Sequence, residues 1–332
     1  MCTAATFSSK DFYFGRTLDV EFNVTPSVTI TPRNYPFESL NISNHYAIIG
    51  MSLNIGYPLY FDATNEYGLS MAGLNFPKNC KYFDKIDGKN NIRPCDFIPY
   101  ILGTCKTSIE AKQKCENINL TNENFNAKIS NSPLHWIIAD KNYCFTIEQT
   151  KDGLKIFDNP VGILTNNPTF DWHMTNLVNY MNLTSDEATN RLSNEIELNA
   201  FCKGMGATGL PGDLSSPSRF VRAAFTKLNA KKYDSEEENV AQFLHILGSV
   251  FQTEGLAKAG NSYEQTLYTS CCNATQGIYY YTTYFNSQIN AINLNNVDLS
   301  STNLFEYPII NQTIINNQNW ILKYFLLQLI LH

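Results

Sequence analysis

The sequence predicts an α+β protein in which helices lie outside an antiparallel sheet. Three observations carry this. Short apolar or alternating runs separated by turn residues dominate the opening, later runs are joined by a tight hairpin, and segments of helical spacing gather between the sheet-forming blocks. Residues 4–7 read as a strand, Lys10-Asp11 as a turn, and Phe12-Tyr13-Phe14 as a second strand running into Gly15-Arg16. Residues 28–31 alternate and stop before Pro32, and residues 46–51 form an apolar run. Asn65-Glu66-Tyr67-Gly68 is a turn leading into a strand over 69–76 that Pro77 closes. Helical spacing covers 97–105, and a second helix over 108–115 carries Glu110 in its first turn. Residues 134–140 and 143–148 form a hairpin through Lys141-Asn142.

Helical spacing returns at 172–180. The stretch 182–217 is polar in its first half and glycine-rich towards its end, long enough to be a functional loop. Residues 219–228 and 237–250 are helix candidates, the second with Phe243, Leu244 and Leu247 on one side. Residues 266–270, 277–284 and 288–294 return to strand. The run from 320 to 331 is strongly apolar yet too short to span hydrocarbon. A docked terminal helix or strand is the favoured reading, with a subunit or membrane-surface contact as alternatives.

The 332 residues can bury a full core, and no long polar linker divides them, so a single domain over 1–332 is expected. A balance of 24 Lys+Arg against 30 Asp+Glu, with no basic stripe, argues against nucleic-acid binding. No basic segment followed by an apolar run opens the chain, which predicts a cytoplasmic protein. Nine cysteines without a repeated Cys-x-x-Cys, beside five histidines, fit reduced thiols better than a disulfide framework or a metal site. Cys271-Cys272 reads as ordinary strand, and triplets such as Asn41-Ile42-Ser43 reflect an asparagine-rich composition.

Chemistry concentrates at Cys2. Once Met1 is removed, this residue carries a thiol and a free α-amine, a nucleophile with its own base. Gly15-Arg16-Thr17-Leu18-Asp19 lies one hairpin away, so antiparallel pairing returns Arg16 and Asp19 to the terminus. Asp19 would hold the amine and Arg16 would favour the thiolate, against the plainer reading of a surface ion pair. His135, His173 and His245 open a Cys-His alternative, but none has a context demanding it, and structural roles are expected for them. Asn75 and Asn166 stand before Phe-Pro and Asn-Pro signals that equally close strands.

Met1-Cys2-Thr3-Ala4, Tyr13-Phe14-Gly15-Arg16-Thr17-Leu18-Asp19 and Thr31-Pro32-Arg33-Asn34-Tyr35 together resemble the choloylglycine hydrolase family of bile salt hydrolases and penicillin V acylases, within the N-terminal nucleophile superfamily. The likeness runs on through Ala72-Gly73-Leu74-Asn75-Phe76-Pro77, Leu164-Thr165-Asn166-Asn167-Pro168, Gly209-Leu210-Pro211-Gly212-Asp213, Ser216-Pro217-Ser218-Arg219-Phe220 and Tyr268-Thr269-Ser270-Cys271, covering roughly residues 1 to 295.

The resemblance implies a four-layer αββα fold with two stacked antiparallel sheets. It implies Cys2 as nucleophile, Arg16 and Asp19 flanking its thiol and amine, Asn75 and Asn166 as oxyanion-hole positions, and Arg219 completing the site. It places Leu18, Phe125, Ile129 and Leu134 near a steroid, with core burial as the competing reading of each. Asn rather than Tyr at position 75 favours conjugated bile salts over penicillin V. No cofactor or metal has a task in such a reaction, and the partner is a small-molecule substrate. A homotetramer in the cytoplasm of a Gram-positive gut bacterium is also implied, with residues 185–217 as a projecting assembly loop; the segment 320–332 has no counterpart in the family pattern. Penicillin V or another N-acyl amide is the alternative substrate, and a non-catalytic binding protein is the remote alternative.

Overall fold

The computed structural model describes residues 1–22 and 24–318. β1 (Cys2–Ser8) and β2 (Phe12–Val20) form the opening hairpin, and β3 (Ser27–Thr31), β4 (Ile48–Asn54), β5 (Pro58–Asn65) and β6 (Ser70–Asn75) follow as antiparallel neighbours. A short parallel pair, β7 (Asn90–Ile92) and β8 (Ile118–Leu120), brackets α1 (Phe97–Thr104) and α2 (Ser108–Cys115). β9 (Leu134–Ala139), β10 (Cys144–Thr150) and β11 (Gly153–Asp158) continue the sheet begun by β3, while β12 (Ile163–Leu164) crosses to β1. Then come α3 (Phe170–Leu177), α4 (Ser216–Asn229) and α5 (Glu236–Gly248), followed by β13 (Ala257–Ala259), β14 (Ser262–Asn273), β15 (Ile278–Thr283), β16 (Asn290–Asn293) and β17 (Phe305–Pro308).

Two antiparallel sheets result. One has the order β12-β1-β2-β14-β15-β16 with β13 on β14, and the other the order β11-β10-β9-β6-β5-β4-β3-β17. The sheets face each other through β1, β2, β6, β9 and β12; α4 and α5 cover the outside of the first, α1 and α2 the outside of the second. This is the four-layer αββα arrangement. Local chemistry explains where helices begin. Ser215 Oγ accepts from Ser218 N with Pro217 in the first turn of α4, and Ser235 Oγ accepts from Glu238 N ahead of three glutamates in α5. Thr107 does the same for α2 through Glu110 N at 3.2 Å.

The expected elements are present with shifted ends, and several were not foreseen. β2 runs on to Val20 because Arg16 and Asp19, charged residues that interrupt an apolar pattern, are buried within it. β5 hides its strand character in the same way, with Asp62 buried in its middle. α3 begins at Phe170 and ends in a 3-10 turn over Val178–Tyr180. The stretch expected to be a polar loop holds only a 3-10 turn at Met205–Ala207 before α4, and it exposes Leu192, Ile196, Leu198 and Phe201. The apolar run from 320 lies outside the described residues. All nine cysteines are free. Among the described residues there is no group of three or more His, Cys, Asp or Glu placed to hold a metal, and no helix long and apolar enough to cross a membrane.

Candidate active site

The β1–β2 hairpin sorts its residues onto two faces. Cys2 pairs with Leu18 and Ala4 with Arg16, so strand alternation puts Cys2, Arg16 and Leu18 on one face and Thr3, Thr17 and Asp19 on the other. Gly15 makes this close packing possible. A Cβ there would lie 2.1 Å from the Ser270 carbonyl of β14.

Arg16 points between the sheets. Its Nη1 donates to Gly73 O at 2.6 Å and Phe61 O at 3.1 Å, and Nε donates to Thr17 O at 3.2 Å. Burial alone would lower the pKa of this guanidinium, but the negative charge of Cys2, Tyr268, Asp62 and Asp19 outweighs burial and raises it. Nη2 is buried and has no hydrogen-bond partner among the described residues, so its N–H donors are uncommitted in a guanidinium that senses the charge of Cys2. Asp62 supplies the counter-charge and was not anticipated. Its carboxylate accepts from Tyr268 and Tyr279 at 2.7 Å each and from Ser270 at 3.1 Å. Burial raises its pKa, against the opposing pull of Arg16 and these hydroxyls. Removing the carboxylate alone would leave Tyr268, Tyr279 and Ser270 without their shared acceptor and take away one of the negative charges that favour the Arg16 cation.

On the opposite face Asp19 meets the helix layer. Its oxygens accept from Thr266 Oγ1 at 2.7 Å, Gln252 Nε2 at 3.1 Å and Thr17 Oγ1 at 3.2 Å. The expectation that this carboxylate holds the Cys2 nitrogen differs from the geometry of the Met1-bearing chain, where Cys2 N donates to Asn166 Oδ1 at 2.9 Å. Asp19 is occupied by the hydroxyls and the amide because its side chain lies on the Thr3 face. β14 serves both faces through a register break between Thr266 and Tyr268, where Thr266 pairs with Asp19 and Tyr268 with Leu18.

Asn166 and Arg219 fix the nucleophile's backbone. Arg219 Nη1 donates to Cys2 O and Thr3 Oγ1 at 2.6 Å each, Nη2 to Asn166 Oδ1 at 2.7 Å, and Nε to Leu214 O at 3.0 Å. Burial lowers the Arg219 pKa, with Asp19, Cys2 and Glu264 acting against it. Asn166 Nδ2 reaches Asn75 O at 2.7 Å, and its own N–H donates to Ser216 Oγ at 2.8 Å. His173 Nε2 donates to Asn166 O at 2.8 Å, and His135 bridges Glu148 and Thr165 O, so both histidines support this segment rather than the thiol. Asn75 ends β6 with its side chain exposed.

Leu134 is the cross-strand neighbour of Asn75, and Leu18 faces Cys2 across the hairpin. Phe125 is held away from the core by a polar latch. Arg93 sits 5.7 Å from its ring centroid and donates to its carbonyl at 3.3 Å, while Tyr57 packs on it at 5.6 Å. Arg93 is itself tied to Asp96 at 2.6 Å, and Asp96 also accepts from Tyr57 and Ser39. Ile129 is half-buried in the same loop, its N–H on Asn126 Oδ1. Leu18 is nearly enclosed, whereas Phe125, Ile129 and Leu134 keep partial exposure. Sequence reasoning missed Asp62, Gln252, Glu264 and Thr266. Only the lone carboxylate within Tyr60-Phe61-Asp62-Ala63 gave a local signal.

The family model for linear amide C-N hydrolases of the choloylglycine hydrolase family matches residues 2–307. The chain belongs to the choloylglycine hydrolase family. Among curated relatives, a bile salt hydrolase/transferase of Lactiplantibacillus plantarum is 49% identical over 314 residues, covering 93% of this chain and 97% of the relative. A bile salt hydrolase/transferase of Clostridium perfringens is 37% identical, covering 96% of this chain and 100% of the relative. The crystal structure of the mutant C2A conjugated bile acid hydrolase from Clostridium perfringens superposes with a TM-score of 0.88 at 36% identity, covering 96% of this chain and 100% of that one. This choloylglycine hydrolase family member is thus an amidase of the N-terminal nucleophile type, built on the αββα fold and acting through an N-terminal cysteine.

Proposed function

We propose that this chain hydrolyses the amide bond of glycine- or taurine-conjugated bile salts, giving free bile acid and amino acid. The observation that carries this reading is the exposed Asn75 amide beside Leu134, at the end of the strand whose carbonyl Asn166 grips while holding Cys2. The two bile salt hydrolase/transferase relatives support the same substrate class. Leu18, Phe125, Ile129 and Leu134 are the apolar residues assigned to a flat steroid body in this reading, with the anionic glycine or taurine end towards solvent.

In the proposed reaction, the Cys2 thiol gives its proton to the α-amine exposed by loss of Met1, and Sγ attacks the amide carbon. The Arg16 guanidinium senses the thiolate charge. The Asn75 amide and the second hydrogen of Asn166 Nδ2 donate to the oxyanion. The C–N bond breaks as the leaving nitrogen takes the proton from the Cys2 ammonium. Water, deprotonated by the same amine, then cleaves the thioester and restores the thiol. Arg219 acts by holding the Cys2 carbonyl and Asn166, and Asp19 contributes its negative charge from the opposite face of the hairpin.

Amine release from glycocholate, taurocholate and penicillin V, assayed in parallel, tests the substrate class. Higher kcat/KM for either bile salt is the expected result. A preference for penicillin V would reverse the substrate assignment and leave the cysteine amidase standing.

A homotetramer is proposed as well. The groove between α3 and α4, lined by Leu177, Val178, Met181, Val221 and Leu228, adjoins a connection that exposes Leu192 and Phe201, and such surface fits contact with another subunit. Light scattering reporting only monomer at micromolar protein would remove this reading. Nine free thiols suit a reducing cytoplasm.

A further inference from the structure

The first nitrogen of the chain is not loose. Met1 N, as an ammonium, donates to Glu264 Oε1 at 2.9 Å and to Asp19 O at 2.7 Å. Glu264 lies on β14, two residues before Thr266, and its side chain is only 14% exposed. Its second oxygen, Oε2, is buried without a hydrogen-bond donor among the described residues. The mechanism above has no use for this carboxylate. A nearly buried carboxylate with a free oxygen requires a cation or a donor, and here the cation is a residue that the N-terminal cysteine chemistry requires to be removed.

Covalent geometry says what replaces it. The path from Met1 N through Cα and C to Cys2 N restricts the two nitrogens to about 3.6 Å, so Glu264 Oε1 lies within about 6.5 Å of the Cys2 nitrogen. After Met1 is lost, the ammonium formed at Cys2 is the cation that can take its place at Glu264 Oε1, with Arg219 the other positive charge that senses this carboxylate. We propose that Glu264 is the positioning residue that holds the mature Cys2 ammonium, directly or through one water, and thereby sets the pH at which the amine becomes available as a base. The proposal rests on the N-terminal cysteine reading and adds a second anchor to Asn166 Oδ1.

The other charged groups facing this nitrogen are named by the network. From β2 come Asp19, which acts in the same sense as Glu264, and Arg16, which opposes it; from α4 comes Arg219, which also opposes it; the Cys2 thiol completes the set. Asp19 is already committed to Thr17, Gln252 and Thr266, whereas Glu264 has a free oxygen. The amine must lose a proton before it can take one from the thiol, so the rate rises with pH through that ionisation. A carboxylate at this distance favours the charged amine and moves the rise to higher pH.

The test uses three full-length proteins freed of Met1, as verified by intact mass: wild type, Glu264→Gln and Glu264→Asp. Two quantities are followed against pH: kcat/KM for glycocholate, and the rate of Cys2 alkylation by iodoacetamide, read on the N-terminal peptide. The expected result is that Glu264→Gln moves the acidic limb of both profiles down by about 0.5–1 pH unit, while Glu264→Asp, which keeps the charge, stays near wild type. Superimposable limbs for wild type and Glu264→Gln overturn the proposal, and so does an equal shift in Glu264→Asp. If no protein cleaves glycocholate, the substrate reading fails, and the alkylation profiles still decide the role of Glu264.

Discussion

Arg219 grips the backbone of Cys2, with its Nη1 on the Cys2 carbonyl oxygen at 2.6 Å and its Nη2 on the same Asn166 oxygen that receives the Cys2 nitrogen. One guanidinium therefore fixes the nucleophilic residue at both ends. Arg219→Ala should lower kcat by about 100-fold or more with a much smaller change in KM, because the reacting geometry is lost while the apolar residues assigned to the steroid remain. Steady-state kinetics on purified, folded variant checks this; an equal rise in KM with kcat intact would move Arg219 from positioning to substrate binding.

Cys2→Ser should abolish most turnover while leaving the thermal transition near that of the wild type. Serine fills the same strand position and keeps the α-amine, so the deficit falls on nucleophilicity. Near wild-type turnover in the variant would end the thiol mechanism.

His173 should make the enzyme acid-sensitive. Burial lowers its pKa from 6.5 to about 4, so the folded chain binds fewer protons there than the unfolded chain between those values. Stability from this group is full above pH 6.5 and is lost as pH falls towards 4, by about 3 kcal/mol in all. Urea unfolding at a series of pH values measures the slope, and His173→Gln, which can still donate to Asn166 O, should flatten it. An unchanged slope would assign the acid sensitivity to other groups.

Arg93→Ala should release the Phe125 loop. The substitution removes the contact to the Phe125 ring and carbonyl and leaves Asp96 without its cation. KM for conjugated bile salts should rise several-fold with kcat less affected, and limited proteolysis should cut between 122 and 133 sooner. Proteolysis at the wild-type rate would show that Tyr57 and the loop's own hydrogen bonds suffice.

Much of this architecture was legible. The opening hairpin could be read because Gly15 and the alternation around Phe12-Tyr13-Phe14 are local signals, and with the hairpin came the return of Arg16 to Cys2. What escaped detection was buried polar and charged partners. Asp62 looks like a surface residue in sequence, and only the approach of Tyr268, Tyr279 and Ser270 makes its burial tolerable, while Gln252 and Thr266 gain their role from the Asp19 carboxylate they reach. Glu264 gave no local clue, since its partner is 263 residues away along the chain. The division of Cys2 and Asp19 onto opposite faces was likewise beyond a one-dimensional pattern until the register of β1 on β2 was known.

The register break in β14 carries a consequence for how this chain tolerates change in length. Residues two apart in a regular strand share a side, yet Thr266 turns to Asp19 while Tyr268 turns to Asp62. The extra residue acts as a phase shifter between two polar circuits, one attached to the chain's first nitrogen and the other to the guanidinium that senses its thiol. A point substitution at Leu267 alters one side chain. Deleting that residue would instead bring the strand back into phase and send either Thr266 or Tyr268 to the wrong layer, disconnecting a whole circuit at once. In this stretch of the molecule, the number of residues is a stricter constraint than their identity.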